Sequence, residues 1–125
     1  MAEQFMTSHC TPCPSCRGES WQRIVDGRLH WEWQHSCPAD GSQACDGGRG
    51  PGSDRVRAQI LAEEGAVHLA VGGPDGLPLQ AVRALYGLTL AELNRAREHG
   101  IDATPVEAQY LAEAVRRAAG PAGPG

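Results

Sequence analysis

The hydrophobic pattern changes period part-way along the chain. Between residues 29 and 35, Leu29, Trp31, Trp33 and His35 fall on one side of an extended strand, and His30, Glu32 and Gln34 fall on the other. Residues 20–25 form a second such stretch, and Asp26-Gly27 between them is a strong two-residue hairpin signal. Beyond residue 53 the spacing becomes helical. Ser53 or Asp54 caps a predicted helix ending at Glu64, with Val56, Ile60 and Leu61 on its inner side and Gly65 as its stop. Residues 66–71 predict a strand buried on most of its surface. Residues 77–93 predict two short helices meeting at Gly87, with Thr89 and Glu92 as a capping box. Leu79, Val82, Arg83 and Tyr86 before the turn, and Leu90, Leu93 and Arg97 after it, predict one apolar seam through both helices. After an extended piece at residues 101–103, Thr104-Pro105-Val106-Glu107 opens a last helix. It is expected to reach Ala119, with Val106, Tyr110, Leu111, Ala114 and Val115 inward, before Gly120 and Pro121 end it.

Cysteine adds chemistry to the first half only. All five Cys lie at positions 10, 13, 16, 37 and 45. The first residues carry neither a basic nor an apolar signal region, and no apolar run reaches the length of a membrane span, so a cytoplasmic protein with reduced thiols is expected. Clustered cysteines there point to metal. Cys13 and Cys16 form a knuckle across a tight turn, and Cys37-Pro38-Ala39-Asp40-Gly41 repeats its form with Asp40 in place of the second thiolate. Two knuckles joined by a hairpin resemble a zinc ribbon, holding one structural, tetrahedral zinc. Cys13, Cys16 and Cys37 are the expected ligands. Cys45 is the first choice for the fourth, because zinc in closed sites favours sulfur, and Asp40, His35 and Cys10 follow in that order. The alternatives are a metal-free hairpin stabilised by its three Trp, and a catalytic zinc with an open position. The latter is disfavoured because no Glu near the knuckles forms a general-base motif.

Residues 47–53, rich in glycine, read as a hinge and match no phosphate-binding loop. The expected organisation is therefore α+β. A zinc-ribbon hairpin covers residues 1–46, a Gly-rich linker 47–53, a mostly helical α/β domain 54–120 and a disordered tail 121–125. Fifteen acids against eleven bases, all of them Arg, give a net charge of −4. Neither half offers the basic face that broad nucleic-acid binding needs.

Residues 67–120 resemble the C-terminal domain of the bacterial ribosomal stalk protein. The likeness rests on Val82-Arg83, on Gly87-Leu88-Thr89-Leu90-Ala91-Glu92-Leu93, on Thr104-Pro105-Val106-Glu107-Ala108 and on Ala119-Gly120. It implies a strand, a helix pair and a later helix that together recruit translational GTPases. The family's lysines for that contact fall on Asp75, Gln80 and Asn94 here, and only Arg83 remains basic. The closing strand is also missing, since residues 121–125 are Pro- and Gly-rich. The scaffold is expected to be kept and the ribosomal binding face lost.

Three function classes follow. A non-enzymatic protein-interaction module stands first, an adaptor, inhibitor or antitoxin or immunity-type partner of another protein. In it, Trp21, Trp31 and Trp33 either anchor the interface or pack on the helical half. A small zinc-containing DNA-binding regulator stands second, because residues 89–93 also resemble the start of a recognition helix. Glu92 and Glu98 on that helix oppose phosphate contact. An enzyme stands last. The partner's identity and the oligomeric state leave no mark in the sequence.

Overall fold

The computed structural model describes residues 17–39 and 41–119. Within them the chain is α+β, a three-stranded antiparallel sheet with four helices and a separate strand pair. The sheet runs β1 (Arg17–Val25), β2 (Arg28–Cys37) and β3 (Ser42–Arg49), in that spatial order. The β1–β2 turn is Asp26-Gly27, and both residues have positive φ, 54° and 76°, as the tight right-twisted hairpin demands. The register pairs Ser20 with Trp33, Gln22 with Trp31 and Ile24 with Leu29, so these side chains share the face turned to the helices. Trp21, Arg23, His30, Glu32 and Gln34 share the other.

The third strand occupies ground expected to be loop and linker. Residues 47–49 belong to β3, which pairs with β2 from Cys37 opposite Ser42 to His30 opposite Arg49. The glycines serve close approach as well as turning. A Cβ on Gly48 would stand 3.1 Å from Trp31 Nε1, and one on Gly52, at φ 97°, would stand 3.0 Å from Val56 Cγ1 and 3.1 Å from Trp31 Cγ. The backbone thus closes directly over an indole.

Helix α1 (Asp54–Glu64) starts on the Ser53 cap, whose hydroxyl accepts from the Val56 N–H at 3.2 Å. Its Val56 and Ile60 are fully buried against Trp33, with Trp31 and Ala44 beside them. The sheet and the first helix therefore share one core across residues 50–53. Removing that apolar surface from water is the main favourable term joining the two segments.

The chain continues through β4 (Val67–Leu69), α2 (Leu79–Tyr86), α3 (Leu90–His99), β5 (Ile101–Ala103) and α4 (Pro105–Ala119). A second cluster gathers Val71, Val82 and Ala96, with Leu77, Leu79, Tyr86, Leu88 and Ile101 around them. Gly87 ends α2 in the left-handed conformation, and Thr89 opens α3 with a complete capping box. Two expectations are corrected here. The strand expected to be buried is three residues long, pairs only with β5, and leaves Val67 and His68 exposed. The seam expected through both helices is interrupted, because Arg83, Leu90 and Arg97 are exposed while Val82 and Leu93 are buried. Helical phase holds only along an unbroken helix, and the turn at residues 87–89 resets it. Among the described residues no helix is long and apolar enough to cross a membrane.

Candidate functional site

Among the described residues Glu107, in the first turn of α4, gathers five hydrogen bonds to its carboxylate. Its position is set locally, since the Thr104 hydroxyl accepts from the Glu107 N–H at 3.0 Å and the Glu107 carboxylate accepts from the Thr104 N–H at 3.1 Å. Tertiary structure then adds three partners. Arg57 of α1 donates from Nε to Oε2 and from Nη2 to Oε1, both at 2.7 Å. Gln22 of β1 donates to Oε2 at 2.6 Å, and Tyr86 of α2 donates to Oε1 at 2.8 Å. Gln22 also donates to the Pro51 carbonyl at 2.8 Å and accepts from the Thr104 hydroxyl at 2.5 Å. Arg57 further donates to the Asp102 carbonyl and lies 5.0 Å from the Tyr86 ring centre.

Electrostatics follow from this geometry. Burial pushes the Glu107 carboxyl up, but the bonds from Arg57 and Gln22, the Arg57 charge and the Thr104 N–H outweigh it and hold the group below the usual carboxylate value. The same pair of bonds raises Arg57. Burial, then the neighbouring Glu107 charge, raises Tyr86 well above an ordinary phenol, so it stays a donor. The five donors meeting Glu107 exceed the four or so lone-pair sites of a carboxylate. No position remains from which it could take a substrate proton. The hollow of about 400 Å³ beside Arg57, Tyr86, Leu88, Glu92 and Asp102 therefore opens onto a saturated network.

A second arrangement lies at the far end of the hairpin. Cys37 is buried at the end of β2, and the Gly41 N–H closes the following turn onto its carbonyl at 2.8 Å. His35 is buried on the same face, with its ring stacked 6.1 Å from that of Trp33. Cys45, expected as the fourth ligand, is exposed and stands opposite Gln34. The register puts it on the other face from Cys37, and an intact ladder does not bring the two thiols together. Cys10, Cys13, Cys16 and Asp40 lie outside the described residues. Among those described, no group of three or more His, Cys, Asp or Glu side chains is arranged to hold a metal.

The tryptophans divide between the faces. Trp33 is 2% exposed, and Trp31 packs beside it on α1. Trp21 is half-buried on the outer face and donates from its indole to Glu32 at 2.6 Å. Arg23 bonds the same carboxylate, and these donors, with Arg23 first, lower the Glu32 pKa. On the strand pair, His68 and Asp102 face one another at 2.8 Å as a solvated surface pair.

Sequence reasoning found Thr104 and Glu107 only as a helix start. It missed Gln22, Arg57 and Tyr86, whose spacing to Glu107 carries no periodic signal because the contacts are tertiary. No protein-family model matches the chain, and comparison with curated proteins and with solved structures finds no significant match.

Proposed function

We propose that this chain is a non-enzymatic protein-interaction module whose first half is held by a structural zinc ion, serving as an adaptor, an inhibitor or an antitoxin or immunity-type partner in the cytoplasm. The observation that carries the reading is the division of the tryptophans by the β1–β2 register. Trp31 and Trp33 meet the helices, while Trp21 remains on the outer face with Val25, which is 43% exposed. An outward indole with a polar handle is the kind of group that anchors protein interfaces. The saturated state of Glu107 supports a role for that network in folding rather than proton transfer.

Zinc would be held by Cys13, Cys16 and Cys37, and it would supply folding energy to the hairpin end. What supports this is the donor set and the turn. Arg17 pairs with Ser36, each one residue from a proposed ligand, Cys16 and Cys37, and the turn after Cys37 is tight and closed by Gly41. Of the candidates for the fourth position, His35 shares the Cys37 face, whereas Cys45 would need the β3 edge to be rebuilt. The order strand, helix, helix, strand, helix over residues 67–119 is consistent with kinship to the stalk-protein domain. Loss of the family's lysines at positions 75, 80 and 94 leaves another protein than a ribosomal GTPase as partner. The DNA-binding alternative is weaker, since Glu92 and Glu98 lie exposed on α3.

Native mass spectrometry of the tagged chain from its own host tests the proposal. One zinc and a near-stoichiometric protein companion are expected, and Trp21→Ala should release the companion at the cost of only the cross-strand contact with Glu32, a small fall in melting temperature, whereas Trp33→Ala should unfold the chain. A metal-free chain would remove the zinc reading. Co-purified DNA without a companion would favour the regulator.

A further inference from the structure

A second surface, away from the outer face, has its own chemistry. Between the start of β2, the end of β3 and the facing sides of α2 and α4 lies a hollow of about 300 Å³. Its lining includes Leu29, Ala81, Ala84, Leu85 and Ala114, and its rim includes Arg28 and Arg49. Arg117 stands beside the adjoining β1–β2 turn, its Nη1 3.7 Å from where a Cβ on Gly27, next to Arg28, would stand. Both Arg28 and Arg49 are exposed, and among the described residues none of these three arginines makes an ion pair, Asp26 in the adjoining turn included. On a chain of net charge −4, this concentrates unpaired guanidinium groups around an apolar depression.

We infer that this hollow is a docking site for an acidic segment of a partner protein, which inserts a leucine- or phenylalanine-sized side chain between carboxylates that bind Arg28, Arg49 and Arg117. The inference deepens the interaction-module reading and rests on it. Charge complementarity selects the occupant. Guanidinium binds carboxylate as a two-pronged fork, and arginine is enriched at interfaces for that reason. The floor of small and branched apolar residues gives a side chain a place to leave water, and the small alanines keep α2 and α4 from filling it. A polyanion such as nucleic acid would use the rim but gain nothing from that floor.

The test is affinity selection of a random peptide library on the immobilised full chain, followed by binding measurements on Arg28→Glu/Arg49→Glu and on Ala84→Glu. All three positions are exposed, so both variants should melt with the wild type. Enriched peptides should carry Asp or Glu on both sides of a Leu, Ile or Phe, and should bind either variant about tenfold more weakly. Peptides without acids, acidic peptides that bind the double variant equally well, or no enrichment would overturn the inference. So would tighter binding of a single-stranded oligonucleotide of equal charge, or a wild-type dimer that the double variant abolishes. A cellular companion that still binds the double variant but is lost on Trp21→Ala would leave the module standing and remove this site alone.

Discussion

The helices α3 and α4 begin with the same motif, Thr-x-x-Glu, and make the same two bonds. At α3 the distances are 3.1 Å and 2.8 Å, and at α4 they are 3.0 Å and 3.1 Å. Their surroundings differ completely. Glu92 is exposed and its lowered pKa comes first from the Thr89 backbone bond, so it serves its own helix. Glu107 is fully buried and gathers Gln22, Arg57 and Tyr86, so it joins β1, α1, α2 and α4. A capping box thus specifies where a helix starts, but its worth depends on what arrives from elsewhere in the chain.

The largest expected effect breaks the Arg57–Glu107 pair. Glu107→Gln keeps the shape and removes the charge, leaving the largely buried Arg57 without its counter-ion, at a cost of about 3 kcal/mol. Chemical denaturation followed by tryptophan fluorescence and by far-ultraviolet circular dichroism should show both signals shifting together, because the network ties the sheet to the helices. A loss confined to the helical signal would show that the two segments fold separately. Arg57→Met should cost about 2 to 3 kcal/mol for the converse reason, an unpaired buried carboxylate. The double variant should cost less than the sum of the two, and additive losses would deny the coupling.

Acid sharpens the same contrast. The folded Glu107 pKa lies below the unfolded value of about 4.3, so its contribution is complete above that pH and is lost as pH falls through the folded pKa. The difference in melting temperature between wild type and Glu107→Gln should therefore shrink as the pH is taken below about 4. A constant difference would show that the charge does not matter. The smallest effect belongs to the exposed box, where Thr89→Ala should cost about 1 kcal/mol and Thr104→Ala nearer 2, since the Thr104 hydroxyl also bonds the buried Gln22. Equal losses would mean that the two boxes are alike after all.

Much of the secondary structure was legible because it is coded locally. The Asp26-Gly27 turn, the Ser53 cap, the Gly87 stop and the two capping boxes are each specified by residues a few positions apart. The third strand was not legible, because Gly47 and Gly48 resemble a linker when β2, with the Trp31 indole against Gly48, is unseen beside them. The burial of residues 66–71 was overestimated, because apolarity alone does not say how many neighbours a strand will find. Of the candidate site, alternation along residues 29–35 showed that Trp31, Trp33 and His35 share a face, and only the strand's extension to Cys37 put that thiol with them. Only the pairing of β2 with β3 showed that Cys45 lies on the other.

By itself, the sequence determined the helix starts and stops, the hairpin turn and the alternation of faces within each strand, because these depend on backbone conformation and on bonds between near neighbours. Tertiary structure alone decided which face met the helices, that Trp33 joined Val56 and Ile60, that Trp21 stayed outside, and that one of two identical caps became a buried ionic junction. Those outcomes depend on groups distant in the chain, and burial, unlike a turn, has no local code.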